Sequence, residues 1–245
     1  MAVRDQLAVV HDSPTPCPYL DGLTARMPLH APLVALTLED TDSLLAGGFR
    51  RSGAVVYYTR CAACQACEPT RVDVQAFQLT RSQRRVLRRA QRDLTLTWQL
   101  PRVDSARVLL YNRHRSQRGL GASDHPVDAA DYHAFLTSTC FNTLELEMRM
   151  GERLIGISIM DVGQESVSAV YTHFDPEAAR YSPGTLAVLH QILWARRTFR
   201  RWVYLGLYVA SNPHLNYKAK FQPQQRRIDG KWRDVDPADR AEEAG

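Results

Sequence analysis

Arg153-Leu-Ile-Gly-Ile-Ser-Ile-Met-Asp-Val162 and Ser166-Val-Ser-Ala-Val-Tyr-Thr-His-Phe174 are two apolar, β-branched runs with only Gly163, Gln164 and Glu165 between them. Thr143 to Met150 precedes them across an equally short break. Three runs of strand length joined by such tight turns predict an antiparallel meander. Ser182-Pro183-Gly184-Thr185 then opens a helix, with proline suited to the first turn. Leu186, Leu189 and Leu193 recur at core spacing as the helix runs to about Thr198. A compact apolar strand follows, Val203-Tyr-Leu-Gly-Leu-Tyr-Val209. A loop through Asn212-Pro213, a short helix containing Tyr217-Lys218-Ala-Lys220 and a strand pair around Arg227 to Val235 close the chain.

Meander, helix, buried strand, then a further helix and strands is the order of an N-acyltransferase fold of the acetyltransferase type. The expected class is α+β. An acetyltransferase-like (GNAT-type) domain with a mixed, largely antiparallel sheet occupies residues 101–245, and a cysteine- and arginine-rich region occupies 1–100, with Pro101 marking the boundary. Arg180-Tyr-Ser-Pro-Gly184-Thr resembles the pyrophosphate turn of acetyl-CoA enzymes, where a helix N-terminus receives phosphate. It lacks that pattern's second glycine, and Tyr181 and Leu186 are bulky. An acyl donor other than CoA is easier to accommodate.

The first region has its own logic. Residues 11–32 carry five prolines, which predicts an extended lead-in with few ladder bonds. Leu44 to Gly53 reads as a helix end, a Gly-Gly break and a polar turn, Arg50-Arg51-Ser52-Gly53. Ala54 to Tyr58 is a short strand that delivers the chain to Cys61, Cys64 and Cys67, and Arg71 to Leu79 is another. Thr80 and Gln83 match a capping box, and six arginines lie between Arg81 and Arg92. At 100° per residue, Arg81, Arg84, Arg85, Arg88 and Arg92 share about 120° of the helix, while Val86, Leu87 and Ala90 point elsewhere. Like charges on one face repel, so an anion that offsets them is the sharper reading and a merely solvated face the plainer one. Asp93 to Leu100 is a connecting strand, Val103 to Arg115 a helix, Gly119 to Pro126 a mobile polar loop, and Asp131 to Phe141 a helix that contains Cys140.

At 245 residues, 44% hydrophobic and 23% charged, the chain is an ordinary globular composition, and its net charge is +5. Concentrated cation points to a polyphosphate or nucleic acid. The first residues hold too short an apolar run for a signal peptide, and nowhere do eighteen apolar residues follow one another, so a cytoplasmic protein without a membrane partner is expected. Thiols stay reduced there. Cys61, Cys64 and Cys67, with Cys17, have the softness to bind zinc or an iron-sulfur cluster. The other reading is thiols that pack the loop, which is the reading for Cys140. A cysteine nucleophile would need a base, and no feature nominates one.

Cys17-Pro-Tyr-Leu20, Gly48-Phe-Arg-Arg-Ser-Gly53, Tyr58-x-x-Cys61-x-x-Cys64-x-x-Cys67-x-Pro69-x-Arg71, Phe77 with Arg81-Ser-Gln-Arg-Arg85, Phe174-Asp-Pro176, and Tyr204-Leu-Gly-Leu-Tyr208 followed by Tyr217-Lys218-Ala occur in that order. This succession resembles the aminoacyl-tRNA protein transferases of the N-degron pathway, most of all their short bacterial, leucyl-transferring branch, from about residue 15 to 230. The resemblance implies an enzyme that moves leucine from leucyl-tRNA to protein N-termini with Asp or Glu and so marks those proteins for degradation. It implies no required cofactor. Arginyl-transferring relatives carry a second cysteine soon after the first. Leu20 stands in that region here, which weakens any transfer of their iron-sulfur cluster.

An aminoacyl ester is already activated, so the reaction needs positioning, removal of one proton and a site for the oxyanion. An acidic acceptor side chain calls for a bidentate arginine, and Arg50, Arg51 and Arg71 are the candidates. The tRNA phosphates suit Arg81, Arg84, Arg85, Arg88 and Arg92, with Lys218, Lys220, Arg196, Arg197, Arg200 and Arg201 as further contacts. For the chemical step Asp161, Tyr171 and Tyr208 are named because their strands would line the acyl cleft; the plainer reading is packing. His173 is a second candidate base or a surface residue. Three other functions fit parts of the chain: an arginyl donor, a CoA-dependent N-acetyltransferase, and a metal-bearing RNA-binding module without catalysis.

Overall fold

A computed structural model describes residues 3–118 and 125–235. The chain begins with β1 (Leu7–His11), β2 (Thr15–Pro16), β3 (Thr24–Ala25), β4 (Leu29–Pro32), α1 (Leu38–Ala46), β5 (Arg50–Ser52) and β6 (Val55–Tyr57). β1, β4, β6 and β5 pair in that order as an antiparallel sheet, so the proline-rich lead-in supplies ladder strands where few ladder bonds were expected. The polar turn expected at Arg50-Arg51-Ser52 is likewise a strand. The hairpin turns at Gly53, whose φ of 59° favours glycine and whose β-carbon would run into the carbonyl oxygen of Ala134.

There follow β7 (Glu68–Asp73), α2 (Arg81–Asp93), β8 (Thr95–Gln99), α3 (Ser105–Arg118), α4 (Ala129–Tyr132), β9 (Asn142–Met150), β10 (Arg153–Val162) and β11 (Ser166–Phe174). α5 (Pro183–Arg197), β12 (Trp202–Tyr208), β13 (Gln224–Ile228) and β14 (Lys231–Val235) complete the chain. One sheet of eight strands runs β14-β13-β7-β12-β11-β10-β9-β8. β11 and β12 are parallel and every other neighbouring pair is antiparallel. The meander, the crossover helix and the mixed, largely antiparallel sheet of the acetyltransferase-type order are all present. β7 and β8, both N-terminal to residue 100, are strands of this same sheet.

Three local expectations shift. The strand expected over Arg71–Leu79 stops at Asp73, whose carboxylate accepts the N–H groups of Gln75 at 2.9 Å and Ala76 at 3.3 Å and turns the chain. The helix expected over Asp131–Phe141 is α4 plus a π-helical turn, His133–Thr137, which leaves Cys140 outside it. Of the loop expected over Gly119–Pro126, residues 119–124 lie outside the described residues, as does the chain beyond Val235.

Strand alternation divides the core. Met160 and Val162 of β10 join Val188, Leu189 and Ile192 of α5 on one face, while Ile157 and Ile159 meet Leu110, Tyr111, Tyr132 and Leu136 on the other. Each such buried side chain contributes about 1.5–3 kcal/mol. A smaller cluster, Leu44, Phe49, Val56 and Phe141, lies under the four-stranded sheet. α2 rests on the first face through Val86, Leu87 and Ala90.

Candidate active site

β11 and β12 are laddered only at Ser166↔Trp202, Val167↔Val203 and Ser168↔Tyr204. Just beyond, β11 shifts register against β10 at Ile159/Met160, and β12 shifts against β7 between Tyr204 and Gly206. Bulges on both strands bend them, so the parallel pair parts into a wedge. Gly206 stands at its apex with φ of 87°, and a β-carbon there would occupy the space held by Nη1 of Arg50. The lone glycine of Tyr204-Leu-Gly-Leu-Tyr208 therefore admits a guanidinium against the backbone.

Arg50 sits on β5 opposite Tyr57. Part of the residue is exposed, but its charged end lies deep: burial opposes the charge, and Tyr57, Tyr19, Tyr217 and Asp161 offset that, leaving the pKa above its ordinary value. Tyr19 lies beside Tyr57, and Asn212 Nδ2 donates to the Tyr19 carbonyl at 2.9 Å. Lys218 is buried and its Nζ donates to the carbonyl oxygen of Leu207. Burial first, then the Arg50 charge, push the Lys218 pKa well below the usual lysine value. Among the described residues, no carboxylate forms an ion pair with Arg50 or Lys218.

The other arginines proposed for an acidic ligand are engaged. Arg51 Nε donates to both oxygens of Asp161, at 3.0 and 2.9 Å, with neither side chain open to solvent. Its Nη1 donates to the carbonyls of Gly53 and Ser138, and Thr143 donates to Asp161 at 2.8 Å. Burial raises the Asp161 pKa against the pull of Arg51. Arg71 lies between Trp202 and Trp232, 3.7 and 4.3 Å from their ring centres, and donates to Gln225 and Tyr204. Tyr171 packs against Tyr111 and Phe135 at 5.6 and 5.5 Å. Tyr208 is buried beneath Arg226, 3.5 Å away. His173 is not at the surface: it is fully buried, 3.3 Å from the Tyr132 hydroxyl, and burial pushes its pKa well down.

Arg81, Arg84, Arg85, Arg88 and Arg92 are all exposed on α2, which the Thr80–Gln83 capping box starts as expected. Lys220 is exposed as well. Lys218, proposed alongside it as an RNA contact, belongs instead to the apex of the wedge, because its Nζ is turned inward onto β12.

The sequence matches the family model described as arginine-tRNA-protein transferase, N terminus, over residues 15–85, and its C-terminal counterpart over residues 106–228. The chain belongs to the arginine-tRNA-protein transferase family. An aspartate/glutamate leucyltransferase of Vibrio cholerae is 35% identical over 219 residues, 89% of this chain and 93% of that one. Those of Saccharophagus degradans and Aeromonas salmonicida are 36% and 40% identical, covering 95% and 82% of this chain and 98% and 84% of theirs. Among solved structures, L-PGS from Bacillus licheniformis superposes with a TM-score of 0.44 at 13% identity, over 71% of this chain and 51% of that one.

Three of the six stretches singled out in the sequence, far apart along the chain, converge on the apex: Cys17–Leu20 brings Tyr19, Gly48–Gly53 brings Arg50, and Tyr204–Tyr208 with Tyr217-Lys218 brings Gly206, Tyr217 and Lys218. Sequence reasoning passed over Tyr19, Tyr57, Tyr217 and Gly206. Only Gly206 carried a local signal, since a glycine inside an apolar strand marks a bulge or a close approach.

The cysteines occupy one flank of this site. Burial, then the neighbouring Cys17, Cys61 and Cys64, push the Cys67 thiol up to about 12. Cys61 Sγ instead accepts the N–H of Arg26 at 3.4 Å. Among the described residues no three His, Cys, Asp or Glu side chains converge as a metal-ligand set. At the start of α5, Pro183 removes one N–H, Ser182 makes no side-chain cap, and the Tyr181 hydroxyl is turned to Asp93 at 3.1 Å. No helix among the described residues is long and apolar enough to cross a membrane.

Proposed function

We propose that this chain transfers leucine from leucyl-tRNA to the α-amine of proteins that begin with Asp or Glu. The names of its relatives supply the donor and the acceptor. The observation that carries the reading for this chain is Arg50, a deeply placed guanidinium at the apex of the β11–β12 wedge that pairs with no carboxylate among the described residues. A guanidinium presents paired planar donors that match a carboxylate. An acceptor's Asp or Glu side chain completes the pair, whereas a lysine or neutral side chain leaves the cation without a partner.

In the reaction the amine nitrogen attacks the ester carbonyl carbon. The new C–N bond forms, the C–O bond to the ribose breaks, and the proton lost by the amine ends on the departing ribose hydroxyl. An α-ammonium has an ordinary pKa of about 7.7–8.0. A lysine held below its usual pKa is matched to take that proton, and Lys218 is the residue we assign to it. Tyr19, Tyr57 and Tyr217 surround the cation with hydroxyls that orient the bound acid. Asp161 acts as a positioning residue, fixing β5 through Arg51, while Tyr171 and Tyr208 pack the walls. The exposed arginines of α2, with Lys220, take the tRNA phosphates.

The test uses labelled leucyl-tRNA, arginyl-tRNA and acetyl-CoA with peptides that begin with Asp, Glu or Lys. Label should pass from leucyl-tRNA to the Asp and Glu peptides alone. Transfer from arginyl-tRNA in its place would reassign the donor. No transfer from any donor, with tRNA still bound, would leave an RNA-binding module.

A further inference from the structure

Phe199 breaks two local rules at once. α5 closes with paired C-terminal hydrogen bonds: the Arg200 N–H donates to the Ala195 carbonyl at 2.8 Å and the Phe199 N–H to the Arg196 carbonyl at 3.3 Å. This closure places residue 199 in the left-handed region, with φ of 59°, a position that helices reserve for glycine. A phenylalanine there carries the steric strain of a β-carbon. Its ring is also 95% exposed. Among the described residues neither the strain nor the exposure is repaid by packing, and a residue that violates two rules without such compensation points to an external role.

Its surroundings say what kind of partner. Residues 196, 197, 200 and 201 are all arginines. Arg196 fixes the end of α5 to the segment entering α2, donating to the carbonyls of Val74 and Phe77 at 2.7 Å each. At the far ends of the two helices, Arg89 meets the carbonyl of Arg180, so they run antiparallel. The Phe199 turn thus stands beside the end of α2 that begins at Arg81, where the exposed cationic face starts. Arg201 pairs with Asp73 at 3.3 Å and Arg200 donates to the Gly163 carbonyl at 2.9 Å, so the exposed Arg197 and the α2 arginines are the cations placed to hold phosphates, and a flat apolar ring beside them suits the face of an unpaired base.

We propose that Phe199 is a stacking platform for an unpaired base of the bound tRNA and extends the α2 arginine face across the end of α5. This rests on the reading of that face as the tRNA's. The experiment titrates uncharged leucine-accepting tRNA against the full chain at several salt concentrations, for the parent, F199G, F199W and the triple variant R84A/R85A/R88A. Because glycine is the residue this turn favours, F199G melts no lower than the parent, and weaker binding is not a folding defect.

F199G should bind at least about fivefold more weakly, with the parental slope of log affinity against log salt, since no phosphate contact is removed. F199W should keep the parental affinity. The triple variant should lower both affinity and slope. Parental affinity in F199G overturns the stacking platform, whatever the triple variant does. Parental affinity and slope in the triple variant overturn the arginine face, and F199G still decides the turn.

Discussion

The guanidinium of Arg50 lies on the backbone of Gly206, with its Nη1 in the space that a β-carbon would fill. A methyl group at 206 would have to expel the cation from the apex of the wedge, and φ of 87° would strain the new residue as well. Gly206→Ala is expected to lower kcat/KM for an Asp-initiated peptide by about 100-fold, the scale of an ångström of misplacement at a reacting centre. Steady-state kinetics on a variant whose melting curve remains cooperative would check it; near-parental kinetics would remove Arg50 from the reaction.

Replacing Arg50 itself separates binding from chemistry. Arg50→Lys keeps the charge but loses the planar fork, and charge-assisted hydrogen bonds contribute about 1.5–3 kcal/mol each. KM for Asp and Glu peptides should rise by roughly 10- to 100-fold, with KM for leucyl-tRNA unchanged. Competition between Asp- and Lys-initiated peptides should show the discrimination shrinking. Equal rises for both substrates would mean the site had collapsed rather than lost its acid pocket.

Lys218 makes opposite predictions for activity and stability. If its neutral amine takes the proton, kcat/KM falls as pH drops through its depressed pKa, and Lys218→Met removes both the rate and that limb of the profile. Its folded pKa lies below the unfolded value near 10.4, so between the two the unfolded chain holds more protons and stability rises with pH. Lys218→Met should abolish this slope and leave the protein at least as stable at neutral pH. A less active, more stable variant in urea unfolding is the expected outcome; a less stable one would make Lys218 structural.

The sequence exposes the parts of this arrangement that are local. The α2 capping box, its outward arginines and the meander depend on neighbours within a few residues, and each is where periodicity puts it. β5 is different. Arg50-Arg51-Ser52 has the polar composition of a turn, and what makes it a strand is pairing with β6 and an ion pair from Arg51 to Asp161, 110 residues away. Lys218 misleads for a related reason: a lysine in a polar helix reads as surface, and its burial depends on a carbonyl of β12 that it reaches only in the folded sheet. The proposed acid pocket is assembled from segments far apart in the chain, so Arg50 was the one member named for that role from the sequence.

The Arg51–Asp161 pair is fully buried, so removing one partner leaves an uncompensated charge. Asp161→Ala is expected to destabilise by about 3–5 kcal/mol. Replacing both residues together, Arg51→Met with Asp161→Leu, should recover much of that loss, because the desolvation penalty of both charges disappears. Urea midpoints of the two variants would decide it, and a double variant as unstable as the single one would show that the pair's hydrogen bonds to Gly53, Ser138 and Thr143 dominate.

Acid stability should be governed first by histidine. Burial lowers the pKa of His114 and of His190 to about 4, and pushes His173 well below its ordinary value. Each therefore stays neutral in the folded state while its unfolded counterpart takes a proton near pH 6.5, so stability is complete above that pH and falls toward pH 4. Each group contributes at most about 1.4 kcal/mol per pH unit, less where solvent screens it. Burial pushes Glu147 up, but Arg149 and Arg107 outweigh it and hold the group at about 2, so its contribution is present above its unfolded value near 4.5 and is lost as pH falls from there toward 2. Unfolding free energies at pH 7, 6, 5 and 4.5 should fall steadily, and His190→Gln should reduce the slope by up to one proton's worth. A flat profile between pH 6.5 and 5 would mean that these rings exchange protons with solvent as freely folded as unfolded.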